Sequence, residues 1–335
     1  MSRRVGVVGF RGYSGAELVH LLGFHSTLEP VLLEHRADSA QTPGPRGAAG
    51  PLRIPCTAEA AKNEGVEAVA LATPPDVSME LAKTFLAAGI KVVDLSGAFR
   101  LGTVEAFRRW YPEEHTAPEL LAEAVYGLPE FYREKIRGAR LVANPGCYPT
   151  AANLAIAPLV EAGVVDRAAG IVCDAKSGVS GAGRKASLTT AFCEVTENFT
   201  AYSILNHRHV PEVLMNSHLA ESEFSFTAHL LPIDRGILET IYFRAKEVDS
   251  AAALVEIYEK RYAGEPFVRV FDPGQVPAIR SAQRANYCDL GVKLDAATGR
   301  AVVVSVIDNL VKGAAGQALQ NLNLMLGCEE TDGPF

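Results

Sequence analysis

Short apolar runs alternate with amphipathic stretches through the first half of the chain. Val5–Gly9, Val31–Glu34, Glu67–Ala72, Val92–Leu95 and Leu141–Ala143 are too short for helices, and they predict buried strands. Between them, Gly15–Leu22 sets Leu18, Val19, Leu21 and Leu22 on one helical face, and Asp76–Ala88 keeps helical spacing until Gly89 stops it. Strand and helix in alternation predict a parallel, doubly wound sheet. Gly102–Tyr132 breaks the rhythm and predicts an excursion outside that sheet.

From about residue 165 the pattern changes to strand-like runs: Gly170–Asp174, Phe224–Leu231, Glu239–Ala245, Phe267–Phe271, Tyr287–Leu294 and Ala301–Ile307. Only Ser250–Tyr262 has strong helical spacing among them. The second half is therefore expected to be an α+β domain with a mostly antiparallel sheet. Gly313–Leu326 is amphipathic and predicts a closing helix.

Composition narrows the class. The 335 residues are enough for about two domains at roughly 150 residues each, and 48% are hydrophobic. Thirty-two Lys and Arg against 39 Asp and Glu leave a net charge of −7, which disfavours nucleic acid as a partner. The six cysteines are scattered without a CxxC pair, as expected of a reducing cytoplasm. The start MSRRVGVVGF is broken by glycines and reaches Arg11 at once, unlike a signal peptide, and no apolar stretch is long enough to span a membrane.

Three segments carry chemistry. In Gly9-Phe10-Arg11-Gly12-Tyr13-Ser14-Gly15, a strand ends, the chain turns on glycines and a helix starts, so backbone N–H groups and the positive helix end converge where a pyrophosphate binds. The spacing is GxxGxxG rather than GxGxxG. At the end of the second strand, Glu34 suits a free ribose 2′-hydroxyl, whereas Arg36 and Ser39, with Arg11, suit a 2′-phosphate; the balance favours NADP over NAD. In Asn144-Pro145-Gly146-Cys147-Tyr148-Pro149-Thr150, Pro149 fits a first helical turn, so Cys147 stands at a helix N-terminus where the field favours thiolate. The other five cysteines read as small buried hydrophobes. In Asn206-His207-Arg208-His209-Val210-Pro211-Glu212, an imidazole suits acid–base work and Arg208 suits a carboxylate or phosphate. A zinc site at His207 and His209 lacks further ligands at familiar spacing, so no metal is expected. Ser177–Lys185 is a glycine-rich close-approach loop without the P-loop pattern, and Arg100, closing Asp94–Arg100, is a candidate phosphate ligand.

These segments resemble the N-acetyl-gamma-glutamyl-phosphate reductases, of the aspartate-semialdehyde dehydrogenase group, over nearly the whole chain. Further matching blocks are Tyr126-Gly127-Leu128-Pro129-Glu130, Arg235-Gly236-Ile237, and Asp308 to Gly313 with Ala315-Gly316-Gln317. The resemblance implies a Rossmann-type NADP-binding domain (1–146) with helix 313–328 returning to it, and a catalytic and dimerisation domain (147–312). It implies NADP(H), a small acyl phosphate substrate, and a homodimer or homotetramer. It also implies Cys147 as nucleophile, His209 as acid–base group with His207 as the alternative, Arg100, Asn144 and Arg208 toward substrate, and Gly9, Gly12, Tyr13, Ser14, Gly15, Arg36, Ser39 and Asn309 toward cofactor. The chain departs from the family at Phe10-Arg11, where Ala-Ser is usual, so a long cation is available to the 2′-phosphate. Ala98 also stands where the family has Asp. Rival readings are a reductase acting on a carrier-protein-linked acyl phosphate of lysine synthesis, whose cysteine motif lacks this Pro and Tyr, a cysteine hydrolase, and a non-enzymatic NADP sensor.

Overall fold

The computed structural model describes residues 2–35 and 50–334, which form two compact units. The first comprises residues 1–104, 113–144 and 318–335. Its sheet contains β1 (Arg3–Val8), β2 (Leu28–Glu34), β3 (Leu52–Pro55), β4 (Val66–Leu71), β5 (Lys91–Asp94), β6 (Val125–Tyr126) and β7 (Leu141–Ala143), in the order β3-β2-β1-β4-β5-β7-β6. Every pairing is parallel, with order reversing around β1, as a doubly wound sheet requires. Helices α1 (Tyr13–Leu22), α2 (Ala58–Asn63) and α3 (Pro75–Ala87) connect the early strands. Gly89 takes φ +80° just past the end of α3, the left-handed conformation that stops a helix. Val69, Val92 and Leu141 from the strands pack with Met79 and Phe85 of α3 in one buried cluster.

The expected excursion over Gly102–Tyr132 lies only partly outside the sheet. It holds α4 (Val104–Trp110) and α5 (Pro118–Leu121), but Val125–Tyr126 pairs with β7 as the edge strand, and α6 (Pro129–Gly138) follows. A two-residue strand has no alternation to read, so the sequence pattern does not reveal it. Residues 105–112 group with the second unit.

The second unit, residues 105–112 and 145–317, opens with α7 (Cys147–Glu161). Its sheet contains β8 (Ile171–Gly178), β9 (Thr200–Tyr202), β10 (Phe224–Leu231), β11 (Ile237–Arg244), β12 (Val268–Val270), β13 (Cys288–Asp295) and β14 (Arg300–Ile307), in the order β12-β13-β14-β11-β8-β10-β9. Four pairings are antiparallel and two, β8 with β10 and β12 with β13, are parallel, so the sheet is mixed. The parallel pairs arise where helices intervene: α8 (Phe192–Val195) and α9 (Val210–Asn216) between β8 and β10, and α11 (Ile279–Ala282) between β12 and β13.

Helix α7 and α10 (Ala251–Arg261) pack on one face of this sheet. The Ser250 hydroxyl caps α10 by accepting from the Ala253 N–H at 3.3 Å. Pro158 stands inside α7 without breaking it. The sequence pattern predicts one helix over Gly313–Leu326; instead a π-helical turn at Val311–Ala315 precedes α12 (Gly316–Leu326). The Asp308 carboxylate accepts from the N–H groups of Leu310 and Val311, fixing the entry to this turn.

From Ala318 onward α12 belongs to the first unit. It is buried all round, so its polar side chains need internal partners. Asn321 Nδ2 donates to Gly127 O and Asn144 Oδ1 at 2.9 and 3.0 Å, Asn323 Oδ1 meets His25 Nε2 at 3.0 Å, and Gln320 Nε2 donates to Glu130 at 3.3 Å. No helix among the described residues is long and apolar enough to cross a membrane.

Candidate active site

In the second unit, Gly146 precedes α7 with extended backbone and Cys147 is the first helical residue. The Gly146 N–H donates to Glu212 Oε2 at 2.9 Å, and its carbonyl accepts from both the N–H and the hydroxyl of Thr150 at 3.0 Å. The turn before the sulfur is therefore tied on both sides. Glu212, fully buried at the third position of α9, is itself held through its carbonyl by Asn216 Nδ2 at 2.7 Å. Two glycines make room for the constellation. A Cβ on Gly146 would fall 2.7 Å from His209 Nε2, and one on Gly313 would fall 2.8 Å from Cys147 Cβ. The His209 ring thus lies directly over the residue before the cysteine.

Cys147, partly exposed, opens on a cavity of about 700 Å³ that it shares with Tyr148, Ser177, Tyr202, His207, Arg208 and His209. The two histidines differ. His207 Nδ1 accepts the His209 N–H at 3.2 Å, and burial, followed by the Arg208 charge, pushes its pKa down to about 4. It is a neutral ring with one nitrogen committed to the backbone. Tyr148 meets both rings edge-on, at 5.4 and 6.0 Å between centroids. The Tyr148 and Tyr202 hydroxyls lie 3.1 Å apart. Burial raises both pKa values, that of Tyr202 to about 12, so the two phenols remain protonated donors at neutral pH.

The loop after β8 approaches closely, as its glycines imply. A Cβ on Gly178 would strike Asp234 O at 2.7 Å, and one on Gly181 would strike Ser177 Oγ at 2.8 Å. Asn309 ties this loop to the start of β11: its Oδ1 accepts the Gly236 N–H at 2.7 Å and its Nδ2 donates to Ser180 Oγ at 3.0 Å.

In the first unit, Gly9 takes φ +78°, and a Cβ there would lie 2.2 Å from Ala72 O; one on Gly15 would lie 2.4 Å from Gly9 O. Gly12 N–H donates to Gly9 O at 2.9 Å, closing the turn. A second cavity, of about 310 Å³, is lined by Gly9, Phe10, Arg11, Gly12, Leu33, His35 and Thr73. This cradle at the first strand–helix junction fits a dinucleotide. Tyr13, Ser14 and Gly15 form the first turn of α1, with Tyr13 exposed. Glu34 pairs with Arg11 at 3.4 Å and with Arg53 at 3.9 Å. Arg36 and Ser39 lie outside the described residues.

Arg100 and Asn144 belong to the first unit. Arg100 donates to Asn144 O at 2.8 Å and Leu95 O at 2.9 Å, and Asn144 Oδ1 accepts from Asn321. The other cysteines divide: Cys173 and Cys288 are buried, Cys56 and Cys328 are intermediate, and Cys193 is exposed, contrary to the reading of all five as buried hydrophobes. Cys193 sits in the four-residue helix α8, too short to show an apolar period that would place it. Tyr202 and Glu212 were missed as site residues. Glu212 ends the His207–Glu212 block and was legible there; nothing around Tyr202 marks it.

Residues 4–139 match the family described as semialdehyde dehydrogenase, NAD binding domain, and residues 147–309 match semialdehyde dehydrogenase, dimerisation domain. The N-acetyl-gamma-glutamyl-phosphate reductase of Symbiobacterium thermophilum is 49% identical over 340 residues, covering 99% of this chain and 97% of the relative. That of Geobacillus kaustophilus is 46% identical, covering 98% and 97%. The chain belongs to the N-acetyl-gamma-glutamyl-phosphate reductases. Solved structures share this family's fold at low identity. Aspartate semialdehyde dehydrogenase II complexed with ASA from Vibrio cholerae has a TM-score of 0.72 at 18% identity, covering 98% of this chain and 99% of that one. Aspartate semialdehyde dehydrogenase with NADP from Candida albicans has a TM-score of 0.70 at 16% identity, covering 97% and 99%. Like its relatives, this reductase is an oxidoreductase with a nicotinamide-dinucleotide domain.

Proposed function

We propose that this chain reduces N-acetyl-L-glutamyl 5-phosphate to N-acetyl-L-glutamate 5-semialdehyde and phosphate, with NADPH, in arginine biosynthesis. The observation that carries the reading is Cys147 in the first turn of α7, opening on one cavity with His209 and Arg208. The helix N-terminus favours the thiolate, and the cavity that Cys147 lines leaves room for a substrate. The Cys147 thiolate adds to the acyl carbon, the bond from that carbon to the phosphate oxygen breaks, and phosphate leaves from a thioester. A thioester accepts hydride far more readily than a carboxylate, which is why the reaction needs a sulfur nucleophile. NADPH, when bound, would supply that hydride; Gly9, Gly12, Tyr13, Ser14 and Gly15 would hold it, Arg36 and Ser39 would serve its 2′-phosphate, and Asn309 its nicotinamide. His209 gives a proton to the substrate oxygen and recovers it as the Cys147–carbon bond breaks to free the aldehyde. The neutral, backbone-committed His207 is a poor candidate for that task. Arg208, Arg100 and Asn144 are assigned to the substrate's anionic groups.

None of the six cysteines is disulfide-bonded, and a catalytic thiol of this kind needs a reducing compartment, so the cytoplasm is the proposed location. The dimerisation description of residues 147–309 supports a homo-oligomer, either dimer or tetramer. The test is phosphate-dependent reduction of NADP by N-acetylglutamate 5-semialdehyde, with aspartate semialdehyde as control and Cys147→Ser alongside. Wild type is expected to turn over only the acetylated substrate, and Cys147→Ser to lose more than about 10³-fold in kcat while binding NADPH normally. Equal turnover of aspartate semialdehyde, or an active serine variant, overturns the assignment.

A further inference from the structure

Arg11 and Arg53 reach one aromatic ring from different elements. Arg11 follows the Gly9 turn, Arg53 stands in β3, and their guanidinium carbons lie 4.8 and 5.8 Å from the centroid of Phe10. Both also face a single oxygen of Glu34, the last residue of β2. Glu34 Oε1 is 3.4 Å from Arg11 Nη2 and 3.9 Å from a terminal nitrogen of Arg53. Two cations and one carboxylate give this trio a net positive charge.

The pairing within the trio is loose. On the same sheet, Arg3 meets Glu67 at 2.5 Å and Arg4 meets Glu29 and Glu64 at 2.8 Å, the close approach of charge-assisted hydrogen bonds. Glu34 comes that near to neither arginine, and contact with the face of Phe10 helps to hold the two cations together. The Arg11, Glu34 and Arg53 side chains are 32%, 43% and 61% exposed, so a more highly charged anion from solution can take the place of the carboxylate.

The trio adjoins the dinucleotide cradle. Phe10 and Arg11 line its cavity, as do Leu33 and His35 on either side of Glu34 in the chain. Pro74 and Val77 give the same cavity an apolar wall suited to an adenine ring. An acid that ends the second strand of such a sheet accepts ribose hydroxyls and repels a 2′-phosphate. Here that acid stands between two guanidiniums, whose forked N–H groups match a phosphate.

We propose that Arg53, together with Arg11, receives the ribose 2′-phosphate of the dinucleotide, and that Glu34 is the counter-ion which this phosphate displaces. A phosphate monoester carries about two negative charges at neutral pH against one on the carboxylate, so the exchange strengthens the attraction to both arginines. Arg53 is then a specificity-determining residue contributed by β3, well outside the glycine-rich turn. This deepens the cofactor reading and rests on the cradle taking a dinucleotide.

The full chain is titrated by calorimetry with adenosine 2′,5′-bisphosphate and with 5′-AMP, which differ only in the 2′-phosphate, and folding is followed by circular dichroism. Wild type is expected to bind the bisphosphate about tenfold or more tightly than AMP. Arg53→Ala is expected to lose about tenfold in bisphosphate affinity at unchanged AMP affinity, and Glu34→Gln to bind the bisphosphate about threefold more tightly than wild type. Unchanged bisphosphate affinity in Arg53→Ala, or an equal loss for both nucleotides, overturns the assignment of Arg53. Bisphosphate binding by Glu34→Gln that is unchanged or weaker overturns the displacement. Equal affinity of wild type for the two nucleotides overturns the phosphate seat while the cradle stands. If wild type binds neither nucleotide, the cradle reading fails and the seat with it. Should Arg53→Ala not fold, Arg53→Gln, which keeps a long polar side chain, decides by the same comparison.

Discussion

The Tyr262 hydroxyl donates to the carbonyl of Leu154 at 2.6 Å, and Leu154 is the residue whose carbonyl would otherwise receive the N–H that Pro158 lacks. A side chain beyond the end of α10 thus replaces a missing backbone donor in α7. Tyr258 Oη donates alongside, to Ala155 O at 2.5 Å. This is why the cysteine-bearing helix runs through its proline to Glu161.

Tyr262→Phe leaves the Leu154 carbonyl buried without that donor. The expected loss is about 1–3 kcal/mol of stability, read as a lower urea midpoint at unchanged slope. A midpoint equal to wild type would show that the phenol is not what sustains the helix.

Gly146→Ala drives a Cβ toward the His209 ring. The imidazole has to move while the fold has little to lose, so kcat is expected to fall by about 10²-fold with a melting temperature close to wild type. His209→Gln should fall by about 10²–10⁴-fold, as the loss of an acid–base group does. Normal turnover in both variants would remove His209 from the reaction.

His207 has a folded pKa of about 4 against 6.5 unfolded, with burial as the main cause. Its contribution to stability is full above pH 6.5, falls as pH drops below 6.5, and is gone below about 4; the difference corresponds to about 3 kcal/mol. His207→Gln should flatten that stretch of the stability–pH curve. A variant curve as steep as wild type would contradict the prediction.

Glu239 is fully buried on β11, and burial raises its pKa well above 4.5 despite the opposing effects of Cys173 and Lys176. The folded state keeps a proton that the unfolded chain releases above about pH 4.5, so stability declines as pH rises from there. Glu239→Gln removes this cost, and its melting temperature should exceed wild type at pH 8 while matching it near pH 4. Equal melting temperatures at pH 8 would mean the carboxyl carries no such cost.

The local physics explains what the sequence disclosed. The Gly9–Gly15 turn, the Cys147 helix start and the His207–Glu212 block are contiguous, and each states its geometry through glycine, proline and spacing. Runs of Val, Ala and Leu buried on both faces, as in Val7–Val8, Ala68–Leu71 and Leu141–Ala143, make β1, β4 and β7 plain. What stayed hidden depends on distant partners. The two-residue β6 exists only against β7, the continuity of α7 depends on Tyr262, and Tyr202 reaches the cavity because β9 pairs with β10. Arg100 and Asn309 were visible as candidates, yet their ties to Leu95, Asn144, Gly236 and Ser180 are tertiary facts.

The first unit is assembled from three separated stretches, the last of them beginning at Ala318 within a helix whose amides satisfy Gly127, Asn144 and His25. During synthesis those native contacts therefore cannot form until the entire second unit has been made. The unit that begins first along the chain is the last to have all of its residues.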